Sequence, residues 1–311
     1  MVQRKPAGSL PHSGTRLKQR HFNQTENLAL RPFGSDGRAG GINMMIDNQR
    51  FAVVTGASSG IGVAYAERMA ERGYNLILVA RRLNRLEEIA GRIKLKTNRT
   101  VELVSADLSD AKDLSRVETL LAQREDIDVL INNAGLGALA PTLQTSADAL
   151  ENMIKVNVLA LTRLSHAILP GLLKRNRGSI INIASMIAVM PSPIGGGYSG
   201  SKAFVLNFTR SLQLEVAKTN VVIQAVLPGP VRTEFFQASG LAASPFPDEM
   251  LMSAEELADT SLRALDRGEL VCFPSLENLS LWTAFEEARV ALSRALMKSG
   301  RPAARYSEAV H

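Results

Sequence analysis

The sequence predicts an α/β fold, a single doubly wound domain whose seven-stranded parallel sheet carries helices on both faces. Two observations predict it. From Asn48 onward, seven short apolar runs alternate with longer stretches of helical periodicity. The runs are apolar almost throughout rather than on alternate residues, as strands covered on both faces require. Right-handed crossovers between them then generate the doubly wound arrangement.

The first run, 51–55, is apolar and β-branched and reads as a buried strand. Gly56-Ala57-Ser58-Ser59-Gly60-Ile61-Gly62 follows, and then the helix former 63–70. Strand, glycine turn and helix start place free backbone N–H groups before an anion. Gly56 suits the tight turn, Gly60 lets a pyrophosphate approach the backbone, and Gly62 lets the helix sit close on the strand. Ser58, Ser59 and Ile61 belong to the same candidate cofactor turn. A glycine-rich turn without a ligand would carry the same residues. Further strands are expected at 75–80, 101–105, 129–132, 179–184, 221–227 and 270–273. Helices are expected at 61–72, 83–97, 110–124, 146–173, 199–218 and 253–267.

Composition bounds what this domain does. Of 311 residues, 45% are hydrophobic and 21% charged, which is ordinary for a soluble α/β domain. The single Cys272 excludes an intrachain disulfide and fits a reducing, cytoplasmic setting. No metal centre is expected: His12, His21 and His311 lie in the tails, and His166 stands alone in a helical pattern. The net charge of +6 is uneven, because residues 1–43 hold seven Lys/Arg against two acids. The high isoelectric point therefore belongs to this tail and gives no reason to expect nucleic acid as a partner.

Residues 1–43 read as a disordered basic tail. It is basic and acid-poor like a mitochondrial presequence, and a start assigned too far upstream of Met44-Met45 would also explain it. The domain proper spans 48–275. The uncharged run 178–201 contains Asn182, Pro191, Pro193 and three consecutive glycines, so it reads as a strand entering a ligand-facing loop and not as a membrane span. Residues 276–311 form a helical extension, with Leu279, Leu281, Trp282 and Phe285 on its apolar side.

The residues suited to chemistry sit after strand ends, which line the crevice of a doubly wound sheet. Arg81 and Arg82 follow the second strand, where an acid would bind a ribose 2′-hydroxyl. Two arginines there favour a 2′-phosphate, hence NADP(H) over NAD(H). Asp107 and Leu108 follow the third strand and face adenine; Asn133, Ala134 and Gly135 follow the fourth. Tyr198 and Lys202 are four residues apart on one helix face. A cation beside a phenol lowers its pKa and suits it to acid–base work. Ser185 ends the fifth strand with a hydroxyl that can bond a substrate oxygen. Pro228, Gly229, Val231 and Thr233 follow the sixth and offer backbone groups to a carboxamide.

Together Thr55–Gly62, Asn132-Asn133-Ala134-Gly135, Asn157, Ser185, Tyr198-x-x-x-Lys202 and Pro228-Gly229 resemble the short-chain dehydrogenase/reductase family, over about residues 50–275. The resemblance implies a Rossmann-type NAD(P)-binding catalytic domain, a homodimer or homotetramer, and a catalytic tetrad of Asn157, Ser185, Tyr198 and Lys202. It implies that Ser185 and Tyr198 bind a carbonyl oxygen while Tyr198 gives its proton. It further implies that Lys202 holds the nicotinamide ribose and that Asn157 holds a water leading to solvent. A nucleotide sensor without turnover and a nucleotide-sugar epimerase are the rival readings. The intact tetrad opposes the first, and the glycine spacing and lack of a large C-terminal domain oppose the second. The uncharged stretch 235–247, with Phe235, Phe236 and Phe246, faces Met186, Ile187, Val189 and Met190 across the expected site. These apolar walls point to a hydrophobic ketone, aldehyde or secondary alcohol.

Overall fold

Strand β1 (Phe51–Thr55) enters the sheet with every residue buried, and helix α1 (Gly60–Glu71) leaves it through the glycine turn. The computed structural model describes residues 49–193 and 195–306, so the tail over 1–43 lies outside the described residues. The chain continues through β2 (Asn75–Ala80), α2 (Leu83–Thr97), β3 (Val101–Ser105), α3 (Ala111–Gln123) and β4 (Ile127–Asn132). Then come α4 (Ala147–Ile154), a π-helical turn (Lys155–Ala160), α5 (Leu161–Arg175), β5 (Gly178–Ile183) and α6 (Gly196–Glu215). The last part holds β6 (Val221–Val226), the single turn α7 (Phe235–Ala238), α8 (Ala254–Asp266) and β7 (Val271–Cys272).

The seven strands pair in parallel in the order β3-β2-β1-β4-β5-β6-β7. The order reverses between β1 and β4, and a crevice opens at the carboxyl ends of strands beside such a reversal. The continuous apolar runs have a direct cause in the strand pleat. Ala52, Val54, Leu76 and Leu78 point to one face and pack with Tyr65, Leu86, Leu257 and Leu262. Val53, Ile77 and Leu130 point to the other and pack with Leu114, Leu164, Ile168 and Leu212. Each fully buried Val, Leu or Ile among them contributes about 1.5–3 kcal/mol by leaving water.

Local chemistry sets the helix ends. Asp110 caps α3 by accepting from Lys112 N and Asp113 N. Ser253 and Glu256 form a reciprocal capping box on α8. Asn98 and Asn176 close α2 and α5 in the left-handed conformation that asparagine tolerates.

Several boundaries differ from expectation. The stretch 146–173 is not one uniform helix: the π turn divides it, and Asn157 sits there with 1% of its surface exposed. Helix α6 starts at Gly196, three residues early, because Gly195 at φ +80° turns the chain sharply. Strand β7 has only two paired residues, because just Val271 and Cys272 find partners at the edge of the sheet. The run 147–175 is long and apolar enough to cross a membrane by length and composition alone. Its Ala160, Leu164, Ile168 and Leu172 pack on the sheet, and His166 is exposed on its outer side.

Residues 276–306 belong to a second unit. It contains α9 (Ser280–Leu296), in which the Trp282 and Phe285 rings stack at 5.5 Å between centroids.

Candidate active site

The glycine turn is shaped by its neighbours. Gly56 has φ +67°, and a Cβ on it would lie 2.9 Å from Ala134 Cα, so only glycine fits. A Cβ on Gly62 would lie 2.3 Å from Gly56 O, which holds α1 hard against the turn. Thr55 Oγ1 accepts from Asn133 N and Ala134 N, both at 3.0 Å, and Asn133 Nδ2 donates to Thr55 O at 2.9 Å. Gly62 therefore supports the turn from behind, while Asn133 both braces it and lines the cleft with Gly56, Ser58, Ser59, Gly60 and Ile61. The Ser59 side chain does not cap α1, and the first turn of the helix has no acid. Its leading N–H groups face the cleft free for an anion.

The cleft in front of the turn has a volume of about 480 Å³ and runs along the carboxyl ends of the strands. Arg81, Arg82, Asp107 and Leu108 line its adenosine end; Ala134, Gly135, Pro228, Gly229, Val231 and Thr233 line its middle. The arginines are not equivalent. Arg82 donates from Nε and a terminal nitrogen to Ser58 Oγ at 3.3 and 3.2 Å. Arg81 is 64% exposed and reaches only Asp107, at 3.9 Å. Asp107 lines the cleft, and its Oδ1 accepts from Ser109 N and Ser109 Oγ at 2.9 and 2.7 Å. Burial works to raise its pKa, and the Ser109 hydrogen bonds outweigh that and hold it low.

Ser185, Tyr198 and Lys202 meet at the other end. Ser185 leaves β5 and hydrogen-bonds the Tyr198 phenol. Lys202, 5% exposed, donates to Ile183 O at 2.8 Å, and its Nζ lies 5.7 Å from the centroid of the Tyr198 ring. Tyr198 is half-buried and lines the cleft. The expected lowering of the Tyr198 pKa is overturned: burial pushes the phenol up to about 12, and the Ser185 hydrogen bond offsets only part of this. Burial also pulls the Lys202 ammonium down to about 8. Removing both groups from water thus outweighs their mutual effect.

Asn157 does not line the cleft. Its Oδ1 accepts from Leu136 N, and its Nδ2 donates to Leu136 O and Ser201 Oγ at 2.9 and 3.1 Å. Ser201 Oγ in turn donates to Tyr198 O at 2.7 Å. Both polar ends of the amide are therefore committed to protein, and the side chain clamps the segment after β4 to the helix carrying Tyr198. A π turn is a recurrent way to present such a residue.

Two residues of consequence carry no motif. Phe235 sets its ring at a tilt against Tyr198, 5.5 Å between centroids, and Glu234 pairs with Arg82 at 3.2 Å and with Arg85 at 3.7 Å. The one available signal was that Glu234 is the sole acid between Thr233 and Pro247. The remaining walls, among them Met186, Ile187, Leu139, Leu241 and Phe246, are apolar. Val189 and Met190 lie exposed and outside this lining.

The family model described as short chain dehydrogenase matches residues 50–243. The 17-beta-hydroxysteroid dehydrogenase type 3 of Danio rerio is 34% identical over 225 residues, which are 71% of this chain and 71% of that one. Its Homo sapiens namesake is 37% identical over 59% of this chain and 60% of its own length. A short-chain dehydrogenase from Sphingobium yanoikuyae, solved with NADPH, superposes with TM-score 0.79 at 38% identity over 83% of this chain and 99% of its own. The bulky-bulky ketone specific alcohol dehydrogenase from Comamonas testosteroni gives TM-score 0.76 at 36% identity, covering 84% of this chain and 99% of that one.

Proposed function

The chain belongs to the short chain dehydrogenase family, enzymes that act on CH–OH and C=O groups with NAD(P), and we propose that it reduces a bulky hydrophobic ketone with NADPH. One observation carries this reading: the Tyr198 phenol beside Ser185 stands at the apolar end of a cleft whose far end is armed with arginines.

The cofactor fits the residues present. The uncapped start of α1 and the glycine turn suit a pyrophosphate. Arg82, braced on Ser58, and Arg81 suit a 2′-phosphate, since no acid ends β2. When bound, NADPH supplies a hydride to the carbonyl carbon. Ser185 Oγ holds the carbonyl oxygen, aimed at the position where negative charge develops. The Tyr198 hydroxyl donates its proton to that oxygen, and a phenol pushed up to about 12 is fully protonated and ready to do so at neutral pH. Lys202, with its pKa near 8, is mostly an ammonium at pH 7 and favours the phenolate left behind. Asn157 keeps the Tyr198 helix in place through Ser201.

The substrate reading rests on the walls. Phe235, Phe246, Leu241, Met186 and Ile187 gain by covering apolar groups and offer no cation to a charged substrate. Similarity to a steroid dehydrogenase and to a bulky-ketone dehydrogenase supports the same class. The test is NADPH oxidation, followed by absorbance, against ketones that grow in alkyl bulk on both sides of the carbonyl. kcat/KM should climb with bulk until the pocket is full. A preference for small charged carbonyls would reject the substrate class, and no turnover of any carbonyl would reject the reaction.

A further inference from the structure

Glu234 joins the two ends of the cleft. It is adjacent in sequence to Phe235, whose ring lies against Tyr198, and its carboxylate is held by Arg82 and Arg85. Arg82 has already committed Nε and one terminal nitrogen to Ser58, and its remaining terminal nitrogen goes to Glu234 Oε2. The other terminal nitrogen spends both its N–H groups on Ser58, so a phosphate drawn to Arg82 finds one N–H beside the bond to Glu234; a two-point grip has to take the Glu234 bond as well, and the phosphate meets that carboxylate as a like charge.

The segment that follows Glu234 has a defined seat. A Cβ on Gly137 would lie 2.1 Å from Ser239 Oγ and 2.7 Å from Phe235 Cζ, so the turn α7 presses directly on Gly137. On the other side, Thr233 packs on the glycine turn, where a Cβ on Gly60 would lie 2.7 Å from Thr233 Cγ2. Ser239 Oγ donates to Phe235 O at 2.6 Å and ties α7 into one small block. Glu234 stands between these two seats, so a backbone shift at Glu234 passes into the block that carries the Phe235 ring.

We propose that Glu234 is a specificity residue that competes with the cofactor's 2′-phosphate for Arg82, so that binding a 2′-phosphorylated nucleotide releases the 235–241 lid from Tyr198 while its unphosphorylated counterpart leaves the lid seated. This rests on the NADPH reading above. It separates two properties that a simple arginine site would not: the charge of the nucleotide sets its affinity and also sets access of substrate to the phenol.

The test uses the whole protein with two probes, adenosine 2′,5′-bisphosphate and 5′-AMP, in binding titrations and in amide hydrogen exchange. Glu234→Gln should tighten the bisphosphate about three- to tenfold, the scale of losing one exposed like charge beside a phosphate, and leave 5′-AMP unchanged. In the wild type the bisphosphate should speed exchange in 235–241, and 5′-AMP should not. In Glu234→Gln that segment should exchange fast without ligand and change no further. If the wild type prefers the bisphosphate but Glu234→Gln binds both probes as the wild type does, the proposal fails and the cofactor reading stands. Slower exchange in 235–241 on binding the bisphosphate overturns it as well. Equal affinity of the wild type for the two probes overturns both.

Discussion

Lys202→Met should raise the stability of the cofactor-free protein at neutral pH while abolishing turnover. The native Lys202 ammonium is buried, with its pKa drawn down from 10.5 to about 8. That difference corresponds to about 3 kcal/mol against the charged form. Methionine fills a similar volume without a charge, but it leaves Ile183 O without its donor, at a cost of about 1–3 kcal/mol. The net expectation at pH 7 is a gain of about 0–2 kcal/mol. The pH dependence is sharper than the net value. Below pH 8 lysine is charged in both the folded and the unfolded chain, and the wild type bears the full penalty. Between pH 8 and 10.5 the unfolded chain binds the extra proton, so wild-type stability rises with pH by about 1.4 kcal/mol per unit. The variant lacks this rise, and its advantage should shrink and then reverse by pH 10. Urea unfolding of both proteins at pH 7, 8, 9 and 10 measures the difference directly, and every other titrating group cancels in it. Parallel curves across that range would refute the assignment of a buried, destabilised ammonium to Lys202.

Other substitutions test separate parts of the site. Tyr198→Phe should lower kcat by roughly 10²-fold or more while NADPH binds nearly as before, and near-native turnover would remove Tyr198 as the acid. Arg82→Ala should weaken NADPH by about tenfold, the scale of a charge-assisted hydrogen bond, and NADH hardly at all. Arg81→Ala should do less because of its exposure, and equal effects of the two would show that the brace on Ser58 is irrelevant. Gly62→Ala places a Cβ 2.3 Å from Gly56 O, so the melting temperature should fall, with a cost of about 1–3 kcal/mol, and cofactor binding should weaken with it. An unchanged melting curve would show that α1 can retreat without penalty.

The sheet was legible because both faces of nearly every strand are covered, which writes continuous apolar runs into the chain. The glycine turn and the Tyr198–Lys202 spacing were legible because local geometry demands particular residues at fixed intervals. Contacts between distant segments left no such trace. The Arg82–Glu234 pair spans 152 residues, and neither side chain announces the other. Arg81 and Arg82 are alike as letters, and only the direction each takes at the entry to α2 tells which one meets Ser58. The Tyr198–Lys202 spacing that predicts a lowered phenol is visible in sequence, and the burial that raises it is not. The π turn stayed hidden inside an apolar stretch because one extra residue per turn barely alters composition.

That extra residue makes the long segment from Ala147 to Arg175 intolerant of length. Each residue of a regular helix turns the chain by about 100°. Removing one residue between Lys155 and Ala160 would let the turn relax to regular geometry, and everything on one side of it would swing by that angle. Leu164, Ile168 and Leu172 would leave the sheet, or Met153 and Asn157 would leave their places. A deletion scan through this stretch should therefore be lethal at every step of the turn, while single exchanges on its exposed side, such as at Leu159, are absorbed. The reading frame of the core and the placement of the Asn157 clamp are one quantity here, counted in residues.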